Sequence, residues 1–440
     1  MSAVSLPARV RGLSGRVRGL PLLRPFTDRD FRIFWAGENL SVLGDQFHFM
    51  ALAWLTLQLT GSGLALGAVL MAAAIPRAVL MLVGGAISDR REPKTVILAT
   101  NLLRAVAVGT IAALVLTGRA ELWQVAVMAV IFGTVDAFFY PAIGSFLPLL
   151  VGRDRLPAAN AVFQATGQLL GLIGPALAGV TIAIIGTGPA FAIDSASFVF
   201  AAAAITLVHG GLRARTRIPT TNDLPGEHPT PAGASTPVAS SGILTTIREG
   251  ARYAVGDPGL RTLLLMSAAL NVAFTGPISV GLPWLSANRF DAGSAGFGVM
   301  ISGFGAGALV GAIVAGSLQR IRHQGGIVLA IGALLGLGLA AIGLAPGIVV
   351  VTLIALAMGL GVGFINVMVV SWIQGRTDPA MLGRVMSIMM LGSVGLAPLS
   401  LVVTGALIDI QPTLVYLGAG GIILATVAVA VATRADRVLG

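Results

Sequence analysis

Apolar residues along this chain run in long unbroken blocks, with none of the strict alternation of a half-buried strand, and the polar residues gather in short links between the blocks. A helix needs about 20 predominantly apolar residues to cross a bilayer. Twelve blocks reach that length, at approximately 33–58, 64–87, 95–117, 121–148, 158–185, 188–208, 261–287, 294–317, 325–344, 347–373, 383–408 and 412–433. The pattern therefore predicts an all-α membrane protein with twelve transmembrane helices. The one long interruption lies between His209 and about Asp257. There the stretch from Ile218 to Ser241, rich in Pro, Thr, Ser and Gly, cannot bury a core. After it, Ile243 to Val255 carries apolar residues at helical spacing and is expected to lie along the membrane surface. The expected organisation is a basic leader over 1–32, a six-helix bundle over 33–208, a linker with an amphipathic helix over 209–260, a second six-helix bundle over 261–433, and a tail over 434–440.

Composition agrees with this class and removes others. Hydrophobic residues make up 56% of the 440 and charged residues only 10%, far from soluble averages. There is no cysteine, and the four histidines are scattered at 48, 209, 228 and 323, so neither a thiolate nor a histidine metal site is expected. The chain shows no Walker-type glycine loop and no nucleophile-with-base arrangement, so no cofactor, no direct ATP drive and no enzymatic activity are expected. A net charge of +10 would suggest nucleic acid in a soluble protein, but no aromatic or motif context accompanies these arginines. Of the 28 basic residues, Arg77 and Arg104 fall inside helices and only Arg119 and Arg289 on the side opposite the N-terminus. The positive-inside rule then places both termini in the cytoplasm of a plasma-membrane protein, with the basic leader resting on anionic lipid.

Charges at membrane depth are the informative ones, because each costs roughly 2.5–3.5 kcal/mol at a helix centre. Glu38, Asp45, Arg77, Arg104, Asp136 and Asp194 all fall within helices of the first half, and the second half has no deep charge. Glu38, Ser41, Asp45 and His48 recur at spacings of three and four, which makes one polar stripe facing the bundle interior. Asp45 lies near the helix midpoint and is the candidate proton site, with Asp136 as a second coupling carboxylate and Arg77, Arg104 and Glu38 as charge partners. Two other readings of Asp45 stand beside it: permanent pairing with Arg77 or Arg104, or direct contact with a cationic substrate. Arg104 is assigned to Asp89 or Glu38, Asp194 to the interface, and His48 to the role of a satisfied polar residue rather than a relay. Gln164 and Gln168 share a stripe on the fifth helix, and the second half supplies Asn271, Asn366 and Trp372; with His48 these form the expected wall of a substrate cavity.

The link between the second and third helices reads Gly85-Ala-Ile-Ser-Asp89-Arg90-Arg91-Glu92-Pro93-Lys94. Glycine, three residues, aspartate and arginine in this order resemble the signature loop of the major facilitator superfamily. Gly85, Asp89, Arg90 and Lys94 match that pattern, whereas Glu92 and Pro93 depart from it. Ser41-Val-Leu-Gly44-Asp45, Asn101-Leu-Leu-Arg104 and Gly174-Pro175-Ala-Leu-Ala-Gly179 are similar to phrases of its macrolide, siderophore and multidrug exporter branch, which includes the enterobactin exporter. The resemblance implies two six-helix halves around a cavity lined by helices 1, 2, 4, 5, 7, 8, 10 and 11. It also implies a cytoplasmic latch formed by the signature loop, and a monomer. The expected function is proton-coupled efflux of an amphipathic small molecule by alternating access. A nutrient importer or facilitator on the same fold is the first rival, and a non-transporting membrane scaffold is a rival of another class.

Overall fold

The computed structural model describes residues 21–88, 91–152, 154–209, 252, 255–318, 324–377 and 395–433, with backbone alone at 21, 82–88 and 258. After a short 3-10 turn at Pro21–Thr27, six helices follow: α1 Arg29–Thr60, α2 Gly63–Ser88, α3 Pro93–Leu116, α4 Leu122–Val151, α5 Leu156–Ile185 and α6 Thr187–Leu207. Beyond the linker come α7 from Pro258, α8 Gly293–Ser317, α9 Gln324–Leu344, α10 Ile348–Arg376, α11 Ala397–Ile408 and α12 Pro412–Ala432. Ten of these are long and apolar enough to span a bilayer by length and composition. The other two are α1, whose apolar run is diluted by its polar stripe, and α11, of which the described part is 12 residues. Residues 1–20 of the leader, most of the linker and the tail lie outside the described residues.

Local chemistry sets the helix ends. Asp28 caps α1 by accepting from the Asp30 N–H at 2.9 Å, and Gly61 closes it with a φ of 65° that suits a residue without a side chain. Asp257 caps α7 by accepting from the N–H groups of Gly259 and Leu260, and Arg376 at the end of α10 reaches the same carboxylate at 3.3 Å. Burial acts to raise the Asp257 carboxyl, but those hydrogen bonds and the guanidinium outweigh it and hold the group below its usual range.

Helices α1 to α6 pack chiefly among themselves, as do α7 to α12, and the two sets meet through α5 against α8 and α2 against α11. Small residues make these approaches possible. A Cβ on Gly298 would come within 2.4 Å of the Pro175 carbonyl, and one on Gly67 within 2.5 Å of the Leu401 carbonyl. The stripe Gly303, Gly307 and Gly311 serves a different contact, the tight crossing of α8 with α10, where Gly307 lies against the Leu356 carbonyl. Helix α7 is irregular beyond Gly276: it continues as two π-helical turns, Pro277–Gly281 and Leu285–Arg289, separated by Leu282–Trp284. Pro277 has no N–H to give the ladder, and its carbonyl accepts from the Tyr416 hydroxyl at 2.9 Å.

Contacts between the two sets are concentrated at one end. Asp409, at the end of α11, accepts from the Ser62 hydroxyl at 2.9 Å, the N–H groups of Gly63 and Leu64 at 2.8 and 3.2 Å, and the Trp284 indole at 2.7 Å. One carboxylate thus caps the N-terminus of α2 and ties it to α7 and α11. Ser294 at the start of α8 donates to the Gly179 carbonyl at 3.0 Å, closing the other seam at the same end. Burial tends to raise the Asp409 carboxyl, yet the bonds from Gly63, Ser62, Leu64 and Trp284 outweigh it and keep the group below its usual range. The stabilisation from this cap is therefore complete at neutral pH and is lost only as the pH falls through that lowered value. Asp409→Ala is expected to shift the population by several-fold towards conformers open at this end. Because the chain has no cysteine, spin labels on introduced cysteines in the α1–α2 and α11–α12 links would read the distance directly.

Candidate functional site

A cavity of about 540 Å³ lies between α1, α2 and α4 of the first set and α7 and α11 of the second. Asp45, His48, Arg77, Asp136 and Tyr140 line its first wall, and Thr275, Ser279 and Leu401 face them. Thr275 lies two residues before the π-helical part of α7 and Ser279 lies within it, so the irregular turn helps shape the cavity. A second cavity of about 520 Å³ lies within the last six helices, between α7, α9, α10 and α12. Its wall is almost wholly apolar, with Ser267, Asn366 and Thr426 as its polar members. The ionisable residues all belong to the first cavity, so the chemistry is sought there.

Asp136 is the electrostatic centre. The Arg104 guanidinium hydrogen-bonds its Oδ1 from the buried side, and Arg77 Nη1 stands 3.8 Å from its Oδ2 on the cavity side. The two arginines are held differently. The Arg104 side chain is 1% exposed, with its guanidinium over the Phe139 ring at 3.9 Å and within 5.5 Å of Phe132 and Phe198. The Arg77 side chain is 43% exposed and lies 5.2 Å over Tyr140. The sequence assigns Arg104 to Asp89 or Glu38, and the structure gives it a different partner. Its partner is Asp136, because α3 packs against both α4 and α6 and turns residue 104 into the interior.

Asp45 has no ion pair and no hydrogen bond among the described residues, and its Oδ1 is buried without a partner. The alternative of permanent pairing with Arg77 or Arg104 is therefore not what this conformation shows, since Asp136 takes both guanidinium groups. Glu38 is buried about two turns away on the same helix, with no ion pair among the described residues. The α1 stripe does face the interior: Glu38, Ser41 and His48 are all buried. His48 has its polar partner on α6. Its Nδ1 lies 3.1 Å from Asp194 Oδ2, and its ring stacks on Phe132 with centroids 3.9 Å apart.

Asp194 was expected at the interface and is instead fully buried. A legible signal for this was Ala190, Asp194, Ser197 and Ala201, a small-residue stripe at helical spacing on α6 that packs against α1. Asn101, three residues before Arg104 on α3, is fully buried with neither amide atom hydrogen-bonded among the described residues.

The other expected site residues scatter. Asn366 lines the apolar cavity. Asn271 lines neither cavity and donates to the Ser267 carbonyl of its own helix at 2.8 Å. Trp372 belongs to a structural cluster, with Arg376 5.2 Å from its ring and Gly259 pressed against it. Gln164 and Gln168 are exposed on α5, on the face that continues in Gly171 and Pro175 towards α8. Of the latch motif, Asp89 and Arg90 lie outside the described residues, and only the backbone of Gly85 is described. Lys94 is the residue of the motif whose side chain is described. Its Nζ donates to the Val208 carbonyl at 2.6 Å and lies 3.4 Å from that of Thr206, capping the end of α6 within the same six helices.

Two sets of membrane-length helices, meeting along two glycine-lined seams around a charged cavity, define a multi-pass membrane carrier. The chain belongs to the Major Facilitator Superfamily, whose sequence profile matches residues 34–400. It is similar to macrolide efflux protein A of Streptococcus pyogenes, at 24% identity over 360 residues covering 81% of this chain and 84% of the relative. It is also similar to the multidrug efflux pump Tap of Mycolicibacterium fortuitum, at 28% over 376 residues covering 83% and 86%. Among solved structures, the nucleoside transporter NupG superposes with a TM-score of 0.71 over 91% of this chain and 98% of that one, at 12% identity. A bacterial homologue of the iron transporter ferroportin in its inward-facing state gives a TM-score of 0.66, covering 93% and 98% at 18% identity. At such identities the two structures speak for the fold alone.

Proposed function

We propose that this transporter exports an amphipathic small molecule across the plasma membrane in exchange for protons, with Asp45 as the proton site. One observation carries the reading: Asp45 lines the cavity with a buried, unpartnered carboxylate oxygen while the neighbouring Asp136 absorbs both arginines. A carboxyl group at membrane depth without a fixed cation is neutral when protonated and costly when ionised, unless a ligand or water compensates it. Proton and substrate then compete for one wall of the cavity, which is the requirement for antiport. Asp136 and Arg77 set the field around Asp45, and Arg104 anchors that field from behind. The largely apolar surfaces of the last six helices suit a hydrophobic cargo, and the relatives named for macrolide and multidrug efflux favour export.

The two sets of six helices act as the rocking halves of alternating access around this site. With both termini cytoplasmic, as the distribution of arginine implies, the seam tied by Asp409 and Ser294 is the outer gate, and the conformation described here is closed to the outside. The exposed Gln164 and Gln168 then face the inner mouth of the cavity. The chain works as a monomeric carrier without cofactor or enzymatic step.

The direct test is proton release. Purified protein in a lightly buffered solution should release protons on addition of erythromycin or ethidium, and the Asp45→Asn variant should bind the same compounds without release. Binding with undiminished release in that variant would place the proton elsewhere.

A further inference from the structure

We propose that the His48–Asp194 pair is a second proton-binding site, reached from the substrate cavity through the His48 ring; this rests on the reading of the protein as a proton-driven carrier. The first support is charge balance. The described helices α1 to α6 carry four carboxyl groups at membrane depth, the buried Glu38, Asp136 and Asp194 and the half-buried Asp45, against two guanidinium groups, Arg77 and Arg104. Both guanidiniums lie on Asp136, so Asp194 has no arginine. Among the described residues its polar side-chain partner is an imidazole, at 3.1 Å.

The second support is the setting of the pair. Asp194 is fully buried, and its Oδ1 has no partner. It sits directly behind Gly44, where a Cβ would fall 2.7 Å from that oxygen and 2.0 Å from the Ser197 hydroxyl. The remaining surroundings of His48 are aromatic: Phe132 stacked on the ring and Phe191 edge-on at 5.9 Å. In such surroundings an ionised Asp194 beside a neutral imidazole leaves one uncompensated negative charge, whereas one added proton makes the pair neutral overall. That proton sits either on the carboxyl group or on the ring, and the pair holds it in both cases.

The third support is access. The His48 side chain is 7% exposed and lines the cavity, while Asp194 is closed off. The imidazole, with a nitrogen on each side of the ring, is the group that connects the buried carboxyl to the cavity containing Asp45. The ionisable groups that act on the pair are Asp45 from α1, Arg104 from α3 and Asp136 from α4, while Glu38, Tyr140 and Arg77 act on those in turn. They place the pair in the same field as the proposed coupling site, so loading one with a proton changes the affinity of the other.

Infrared difference spectroscopy on the full-length protein in phosphatidylethanolamine–phosphatidylglycerol nanodiscs tests this without a known substrate. Alkaline titration should reveal buried carboxyl bands that shift on deuteration. Asp194→Asn is expected to remove one of them, or the matching histidinium signal, while Asp45→Asn leaves that component in place. His48→Gln, which keeps a polar group against Asp194, should shift the same component and alter its titration; it also provides the readout should Asp194→Asn fail to fold. Carboxyl and imidazole signals unchanged in a folded Asp194→Asn variant, or unchanged by His48→Gln, would overturn the proposal. Loss of the Asp194 component together with an Asp45→Asn variant that still releases protons would overturn the Asp45 reading alone.

Discussion

Asp45→Asn is expected to abolish efflux driven by a proton gradient, lowering the rate in everted vesicles or proteoliposomes by at least tenfold, while substrate exchange at equal pH persists. The asparagine matches the protonated acid in size and charge, so the variant resembles a carrier locked in its proton-loaded form. A loaded carrier can still reorient with substrate but cannot convert a pH difference into net movement. The cavity position of Asp45 and its unpartnered oxygen mean that no ion pair is lost on substitution, and thermal stability should stay close to that of the native chain. Gradient-driven efflux at the native rate would refute the assignment. A parallel loss of exchange would show instead that Asp45 holds the substrate.

Arg104→Ala should have the largest effect on stability, about 3–5 kcal/mol, because it removes one partner of a buried ion pair and leaves the other charged. After the change, Asp136 keeps only Arg77, at 3.8 Å and half out in the cavity. The cavity left among Phe132, Phe139 and Phe198 adds to the loss. Arg104→Lys should rescue little, since an ammonium group cannot reproduce a planar cation laid on the Phe139 ring. The double variant Arg104→Gln with Asp136→Asn should recover most of the loss, because it removes the stranded charge as well as the pair. Unfolding midpoints in detergent across the four proteins of this cycle give the coupling directly. An additive cycle would mean that Arg104 contributes packing and no electrostatic pairing.

These two residues also show where the sequence could be read and where it could not. Helix positions followed from hydrophobic block length, because a bilayer imposes one dimension on every span, and the interior stripe on α1 followed from a period of three to four. Partner choice did not follow. Whether Arg104 meets Glu38, Asp89 or Asp136 depends on which neighbours α3 packs against; Thr100, Asn101 and Arg104 make a short polar face that points inward but does not say which helix it meets. Asp194 was misplaced for the same reason: six residues into a helix is compatible with the interface until the close approach of α1 at Gly44 buries it. Lys94 matches a family motif in position, and nothing local shows that its ammonium also reaches the carbonyls at the end of α6. Asp409, a lone acid in a short link, gave no indication that it would cap α2 some 345 residues earlier in the chain.

By itself, then, the sequence determined that the protein crosses a membrane many times, that its deep charges belong to the first six helices, and that it resembles an exporter family. Each of these is set by local composition, by spacing or by a short run of residues. Only the tertiary structure decided which acid takes the arginines, which one is left free at the cavity, and which is sealed behind a histidine. Those outcomes depend on the rotation and approach of helices far apart in the chain, set by glycine contacts and aromatic stacking that no periodicity records.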